Sequence, residues 1–264
     1  MATKGSFVDQ LENFRREAYV AAQYLYSEMA VNHAASKSPR LLGRLNQTPR
    51  FWLTHSAACQ EAAYLALGRV FDTKSDFNVN KLLDAFASSL TQFSRQALGN
   101  RKRDGKPTDP PWLADYLNGA HYPTTKDVAR LRAKTAEYCA IYDRAVKPAR
   151  HKYIAHREKV DQVDVQKLFG GGKVRELWRI VTFLYALYQA LWEQYHNGRK
   201  PVLGRLRYSV KVIFDSKHQG SAPHEAIVAE AKQLMKFLET ATPNPSLQLT
   251  RYGLRPARAA ELKR

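Results

Sequence analysis

Leu177-Trp-Arg-Ile-Val-Thr-Phe-Leu-Tyr-Ala-Leu-Tyr-Gln-Ala-Leu-Trp-Glu-Gln-Tyr195 is the stretch that decides the fold. Leu177, Ile180, Val181, Leu184, Leu187, Tyr188, Leu191 and Tyr195 recur at three- and four-residue steps, a broad apolar stripe of helical period that stops at Asn197-Gly198. A stripe this wide has to be covered by other helices. The window 177–192 contains Arg179 and Gln189 and falls short of the roughly 18–20 apolar residues of a membrane span. It therefore reads as a core helix of a soluble, cytoplasmic protein with no membrane partner.

The flanking sequence supplies the covering helices. Upstream, Ser6-Phe-Val-Asp9 is a capping-box start, and Leu11, Phe14, Ala18, Ala21, Leu25 and Met29 carry a first helix to breakers near residues 36–39. Thr48-Pro49 opens a second, with Phe51, Ala58, Ala62, Leu65 and Val70 on one face as far as Asp72. Leu82, Leu83, Phe86, Leu90, Phe93 and Ala97 predict a third over 79–98, closed by Gly99, and residues 99–123 read as a long loop. Thr124 to Asp127 opens a fourth, carried by Val128, Leu131, Thr135, Tyr138, Ile141, Tyr142 and Ala145 up to Pro148, which either kinks one long helix or starts a fresh one. Downstream, Leu206, Tyr208, Val210, Val212 and Phe214 alternate with polar residues and predict a short strand or extended segment near 205–214. A last helix spans about 223–238. The expected fold is an all-α antiparallel bundle over 6–240, with a proline-containing C-terminal tail over 243–264 that reads as disordered.

Composition narrows the function. The 264 residues hold 42 Lys and Arg against 24 Asp and Glu, a formal charge of +18, which excludes an acidic or neutral surface and points to a polyanion partner. Cys59 and Cys139 lie in Ala-rich helical patterns, the setting of small buried thiols in a reducing compartment. The N-terminus has no apolar core of signal-peptide length. There is no Cys-x-x-Cys, no His-Glu-x-x-His and no P-loop, so neither a metal nor another cofactor is expected.

The remaining candidate is Lys147-Pro-Ala-Arg150-His151-Lys152-Tyr-Ile-Ala155-His156-Arg157-Glu158. An Arg followed by a His with four to six residues between is expected about twice by composition alone. The chain has three, at Arg50/His55, Arg144/His151 and Arg150/His156. Only the last has a polar residue directly after the Arg, an Ala before the His, and a place at the end of a long amphipathic helix. In that form the segment resembles the Arg-x(4–6)-His motif of the HEPN superfamily. The wider chain resembles its abortive-infection AbiU-type branch, with Phe51-Trp52 through Arg69-Val70-Phe71-Asp72 as the preceding Trp- and Ala-rich helix and its Arg-x-x-Asp element. The resemblance covers about residues 45–240. It implies a helical, homodimeric RNA-cleaving toxin or anti-phage effector, and leaves room for a cognate antitoxin. Some superfamily members carry a Tyr two residues past the His that a partner nucleotidyltransferase modifies; here that position is Glu158, which argues against such control.

The residue types suit metal-independent RNA cleavage. The 2′-hydroxyl attacks the adjacent phosphate, so a site must accept a proton and stabilise charge on the phosphoryl oxygens. His156 is the candidate base, and Arg150 the phosphate clamp. On an ideal helix, residues six apart lie roughly 9 Å along the axis and 120° around it, so one helix alone makes a poor site, and a two-fold pairing of protomers would bring the copies together. Lys147, Lys152 and Arg157 are the RNA-binding candidates. His151 would either line the groove or face solvent. Arg69 and Asp72, at i,i+3, read first as an ion pair anchoring two helices and second as a support for Arg150 or the RNA. Two plainer readings stay open: a solvated basic helix end with His156 on the surface, and a helical module that binds nucleic acid or a nucleotide without cutting it. Tyr185, Tyr188, Trp192 and Tyr195 read as packing before base stacking, and Arg95, Arg101, Lys102, Arg103 and Lys106 as solvated or as a backbone-tracking arm. The tail looks like the translated ends found beside mobile gene cassettes. It supplies +4 of the total charge, whereas residues 126–160 carry +6 around the Arg150/His156 pair.

Overall fold

The computed structural model describes residues 6–151, 174–217 and 220–241. Among them are eleven helices: α1 (Phe7–Lys37), α2 (Pro39–Leu45), α3 (Pro49–Phe71), α4 (Val79–Ser88), α5 (Arg95–Arg103), α6 (Leu113–Gly119), α7 (Thr125–Ala145), α8 (Lys147–Ala149), α9 (Val174–Asn197), α10 (Val210–Asp215) and α11 (Pro223–Thr240). A 3₁₀ turn, Leu90–Phe93, joins α4 to α5. The described residues contain no strand, and the fold is all-α.

α1 is the axis of the bundle. Both halves of its capping box form, the Ser6 hydroxyl accepting from the Asp9 N–H while the Asp9 carboxylate accepts from the Ser6 N–H. Its buried Ala18, Ala21, Ala22 and Ala30 let neighbouring backbones approach, and α3 answers with the buried Ala63 and Ala66. The two helices run antiparallel: Glu17 of α1 pairs with Arg69 near the end of α3, and Glu28 accepts from Ser56 near its start. α4, α9 and α11 also pack on α1. At one end, Phe7, Phe86, Phe93 and Tyr195 meet edge-on or tilted, with centroids 5.0–5.9 Å apart, and tie α1, α4, the 3₁₀ turn and α9 together.

α9 carries the deciding stripe. Ile180, Val181, Leu184, Leu187 and Leu191 are at most 1% exposed, and burial of each such side chain contributes about 1.5–3 kcal/mol. It runs antiparallel to α7, because Tyr138 stacks on Phe183 at 3.9 Å, Arg144 pairs with Glu176, and the start of α7 lies by the end of α9. A single buried cluster takes in residues from Phe7 to Ala231.

Three expectations are corrected. The third predicted helix is broken at Ser89 and restarted at Ser94, whose hydroxyl caps the Ala97 N–H; serine offers the backbone a competing hydrogen bond. Its apolar positions survive the break, with Leu82, Leu83, Phe86 and Phe93 all buried. Gly99 does not end a helix: α5 continues to Arg103 and stops where Asp104 turns left-handed, and the supposed loop 99–123 also holds α6. The alternating segment is irregular up to Ser209 and helical from Val210, where burying Val210 and Ile213 together at i,i+3 outweighs the period of two. At Pro148 the fresh-start reading holds, since α7 ends at Ala145 and α8 takes the proline in its first turn. The expected disordered tail at 243–264 lies outside the described residues.

Candidate functional site

The site is built where the end of α3 meets α8. Val146 closes α7 by donating to the Tyr142 carbonyl; Ala145, Val146 and Ala149 are buried, and they key this bend into the core. Arg150 follows, its N–H bonded to the Val146 carbonyl at 3.0 Å, and it enters with His151 a wider, π-type turn. Such widened turns recur at functional positions.

From there the Arg150 side chain crosses onto α3. Nη1 donates to Asp72 Oδ2 at 3.0 Å, with the two side chains only 17% and 23% exposed. Asp72 caps α3: its backbone N–H bonds the Gly68 carbonyl, and its extended backbone swings the carboxylate off the helix. The other oxygen, Oδ1, accepts from the Lys74 N–H at 3.0 Å. One turn back, Gly68 leaves room for the guanidinium, since a β-carbon there would lie 2.1 Å from Arg150 Nε and 2.6 Å from Cζ. Phe71 stacks on Tyr142 at 5.1 Å and walls the site, and His151 Nε2 lies 3.4 Å from Arg150 Nη1.

The electrostatics fit a fixed cation. The Lys74 N–H, and after it Arg150, hold the Asp72 carboxyl below the usual carboxylate range against the opposing effect of burial. Burial pulls the Arg150 guanidinium down, but the groups around it, Asp72 first, more than offset it, so its pKa stands above the ordinary value. Burial keeps the Tyr142 phenol neutral by raising its pKa. Among the described residues, Arg150 Nε and the Tyr142 hydroxyl are both buried without a hydrogen-bond partner. The Nε edge of the guanidinium is thus fitted against Gly68.

The predicted residues divide accordingly. Arg150, His151 and Asp72 come together. Arg69 and Asp72 do not pair with each other, correcting the first reading of that i,i+3 spacing: Arg69 Nε bonds Glu17 at 2.8 Å, and Asp72 turns to Arg150. Both pairs anchor helices, α3 to α1 and α3 to α8. Lys147 is half-exposed and held by Asp143 at 2.9 Å. His156, Lys152 and Arg157 lie outside the described residues. Gly68 and Tyr142 were missed as site residues. The signal for Gly68 was a glycine inside a helix, which costs about 1 kcal/mol relative to alanine and so asks for a packing reason. Tyr142 gave none, being one apolar position among many. Among the described residues no group of His, Cys, Asp and Glu has the arrangement to hold a metal, and no helix is long and apolar enough to cross a membrane. Cys59 and Cys139 are free.

Fold and site together define an all-helical domain with an arginine anchored from a neighbouring helix. The family model AbiU2 of the HEPN class matches residues 4–212, a span that includes Gly68, Asp72, Arg150 and His156, and the chain belongs to that family. No curated protein and no solved structure matches it.

Proposed function

We propose that the protein is a metal-independent endoribonuclease of the toxin or anti-phage defence type, carried by one helical domain over 6–240 with 243–264 as an appendage. The observation that carries this reading is the immobilised Arg150. A guanidinium pinned by Asp72 and fitted against Gly68 has little conformational freedom left to lose, so its η nitrogens are organised in advance for a phosphate. His156 takes the proton from the RNA 2′-hydroxyl, and O2′ forms a bond to phosphorus as the P–O5′ bond breaks. The leaving 5′-oxygen takes up a proton, and the products are a 2′,3′-cyclic phosphate and a 5′-hydroxyl. Asp72 keeps Arg150 in place, Arg150 meets the phosphoryl oxygens, and His151, Lys147, Lys152 and Arg157 serve as strand contacts.

A homodimer in the cytoplasm, with two copies of Arg150 and His156 facing each other, supplies the second face that one helix lacks. Its biological setting is abortive infection, with or without an antitoxin, in a gene moved on a mobile cassette. Incubation with end-labelled RNA tests the reaction. Cleavage that persists in EDTA, leaves cyclic phosphate ends, and falls by about 10²–10⁴-fold in Arg150→Ala and His156→Ala supports it. Salt-sensitive binding of intact RNA would instead identify a non-catalytic module. Light scattering on the eluted protein should give twice the mass of the chain, and a monomer would remove the two-fold site.

A further inference from the structure

The end of the bundle away from Arg150 holds an open cavity of about 830 Å³ between α5, α6 and the segment that follows α9. Its walls carry Lys102, His121, Arg199 and Lys200 together with Asp115, and His121 Nε2 lies 3.1 Å from Asp127 Oδ2. The floor is built from three stretches of chain held by hydrogen bonds. The His121 N–H donates to the Gly198 carbonyl at 2.7 Å, the Tyr116 hydroxyl to the Asn197 carbonyl at 2.9 Å, and Gln194 Nε2 to the His121 carbonyl at 2.9 Å. Gly198 is in the left-handed region, φ +58°, and a β-carbon on it would lie 2.6 Å from Leu98 and 2.9 Å from Ala120, so only glycine closes this floor. The Asn197 and Gly198 carbonyls, which would otherwise give the C-terminus of α9 a negative pole, are both occupied by donors.

Among the described residues the two lysines there have no carboxylate partner. Lys102 Nζ donates to Asn197 Oδ1 at 2.7 Å and lies 5.2 Å from the Tyr116 ring, both neutral partners. Lys200 is exposed and pairs with nothing among the described residues, and Arg199 reaches Glu193 at 3.4 Å. Just behind, Arg101 lies over Tyr195 at 4.1 Å with Nε and Nη2 buried and unpartnered, its one hydrogen bond going to the Gln92 carbonyl. The positive field is felt by His196, whose pKa falls first through burial and then through Arg101 and Lys102. Half-exposed Trp112 stands edge to face on the lining residue Tyr116 at 5.8 Å. Basic side chains beside exposed aromatic faces suit a single nucleic-acid strand, the phosphates meeting the cations and a base stacking on the indole.

We propose that this cavity is a second binding site for the phosphodiester backbone of a single-stranded polynucleotide, remote from Arg150. α7 separates the two: its 21 residues run from beside His121 to just before Arg150, roughly 30 Å at 1.5 Å per residue. That distance is about nine nucleotides of a fully stacked strand at 3.4 Å spacing, and fewer of an extended one. A strand of that length or more engages both ends, and a trinucleotide reaches only one. The choice of RNA as the natural strand rests on the function proposed above, whereas binding at the cavity does not.

A 20-nucleotide 2′-O-methyl strand, which has no free 2′-hydroxyl to react, is titrated by fluorescence anisotropy against the full chain and the variants Lys200→Glu, Lys102→Gln and Trp112→Ala. Lys236→Glu, on the exposed side of α11, is the control for global charge. The expected result is at least tenfold weaker binding with Lys200→Glu and Lys102→Gln, a smaller loss with Trp112→Ala, and little change with Lys236→Glu. Where cleavage is measurable, turnover of a trinucleotide is unchanged in Lys200→Glu while KM for the 20-mer rises. Equal losses in Lys200→Glu and Lys236→Glu, no loss in either, or displacement of the strand by a nucleoside triphosphate at matched phosphate concentration would overturn the proposal. Lys200 is exposed and unpaired, so its variant keeps the test readable even if Lys102→Gln unsettles the floor. A protein that binds the strand here and cuts nothing would refute the nuclease reading alone.

Discussion

Gly68 and Arg150 share a space that admits only one side chain: a β-carbon on Gly68 would lie 2.1 Å from Arg150 Nε, well inside contact distance. The two are 82 residues apart in the chain, and their fit sets α8 against α3. Gly68→Ala decides what that fit is worth. In an ordinary helix interior the change stabilises by about 1 kcal/mol. Here Arg150 has to leave its position, so the sign reverses to a loss of about 1–3 kcal/mol, read from thermal or urea unfolding. Cleavage should fall as far as in Arg150→Ala, although Gly68 has no group to offer the chemistry. A more stable variant with full activity would show that Arg150 acts from another position.

Asp72→Asn keeps the shape of the carboxylate and removes its charge. Arg150 then lacks its compensating anion in a part-buried setting, which costs about 1–3 kcal/mol, and cleavage should fall about 10–100-fold while strand binding changes little. The pH dependence has a definite sign. The Asp72 carboxyl is depressed in the folded protein, so its contribution is complete above the unfolded value near 3.9 and disappears as pH falls through the lower folded value. Unfolding midpoints measured from pH 5 down to pH 2 should show a steeper fall for the parent than for Asp72→Asn.

His224 predicts a second pH effect, in a milder range. Its ring is buried between Tyr26 and Tyr185, with Nε2 2.7 Å from the Arg207 carbonyl and Nδ1 buried without a partner. Burial depresses its pKa, the bond to Arg207 only partly opposing this. The unfolded chain therefore takes up a proton below about pH 6.5 that the folded chain resists, and stability falls as pH drops through that value. The thermal midpoint should be lower at pH 5.5 than at pH 8. His224→Phe, which keeps the ring contacts, should shrink that difference even though it loses the bond to Arg207; an undiminished difference would assign the effect to His33 or His196.

Removal of residues 243–264 should leave the unfolding midpoint and cleavage unchanged. The family match ends at 212, and the last described helix, α11, ends at Thr240 with Met235 buried beneath it. A marked loss in either measurement would give the tail a part in the fold or the reaction.

The sequence by itself determined the five long helices, because a period of three to four acts locally, but not every buried face: α3 leaves Phe51 and Ala58 exposed and buries Cys59, Ala63, Leu67 and Val70. The α9 stripe, the capping box at Ser6 and the proline start at Pro49 all needed only near neighbours, whereas Pro148 left a kink and a fresh start open. It also marked Arg150 as a candidate, by family resemblance more than by spacing. Only the tertiary structure decided what Arg150 touches. Asp72 had Arg69 within reach along its own helix and took Arg150 from another, and Arg69 turned to Glu17 of α1. Which carboxylate meets which guanidinium depends on where α1, α3 and α8 lie once the core has packed, and no local period encodes that. The same holds for the helix at Val210, where the period of two gave way to what Val210 and Ile213 could bury together.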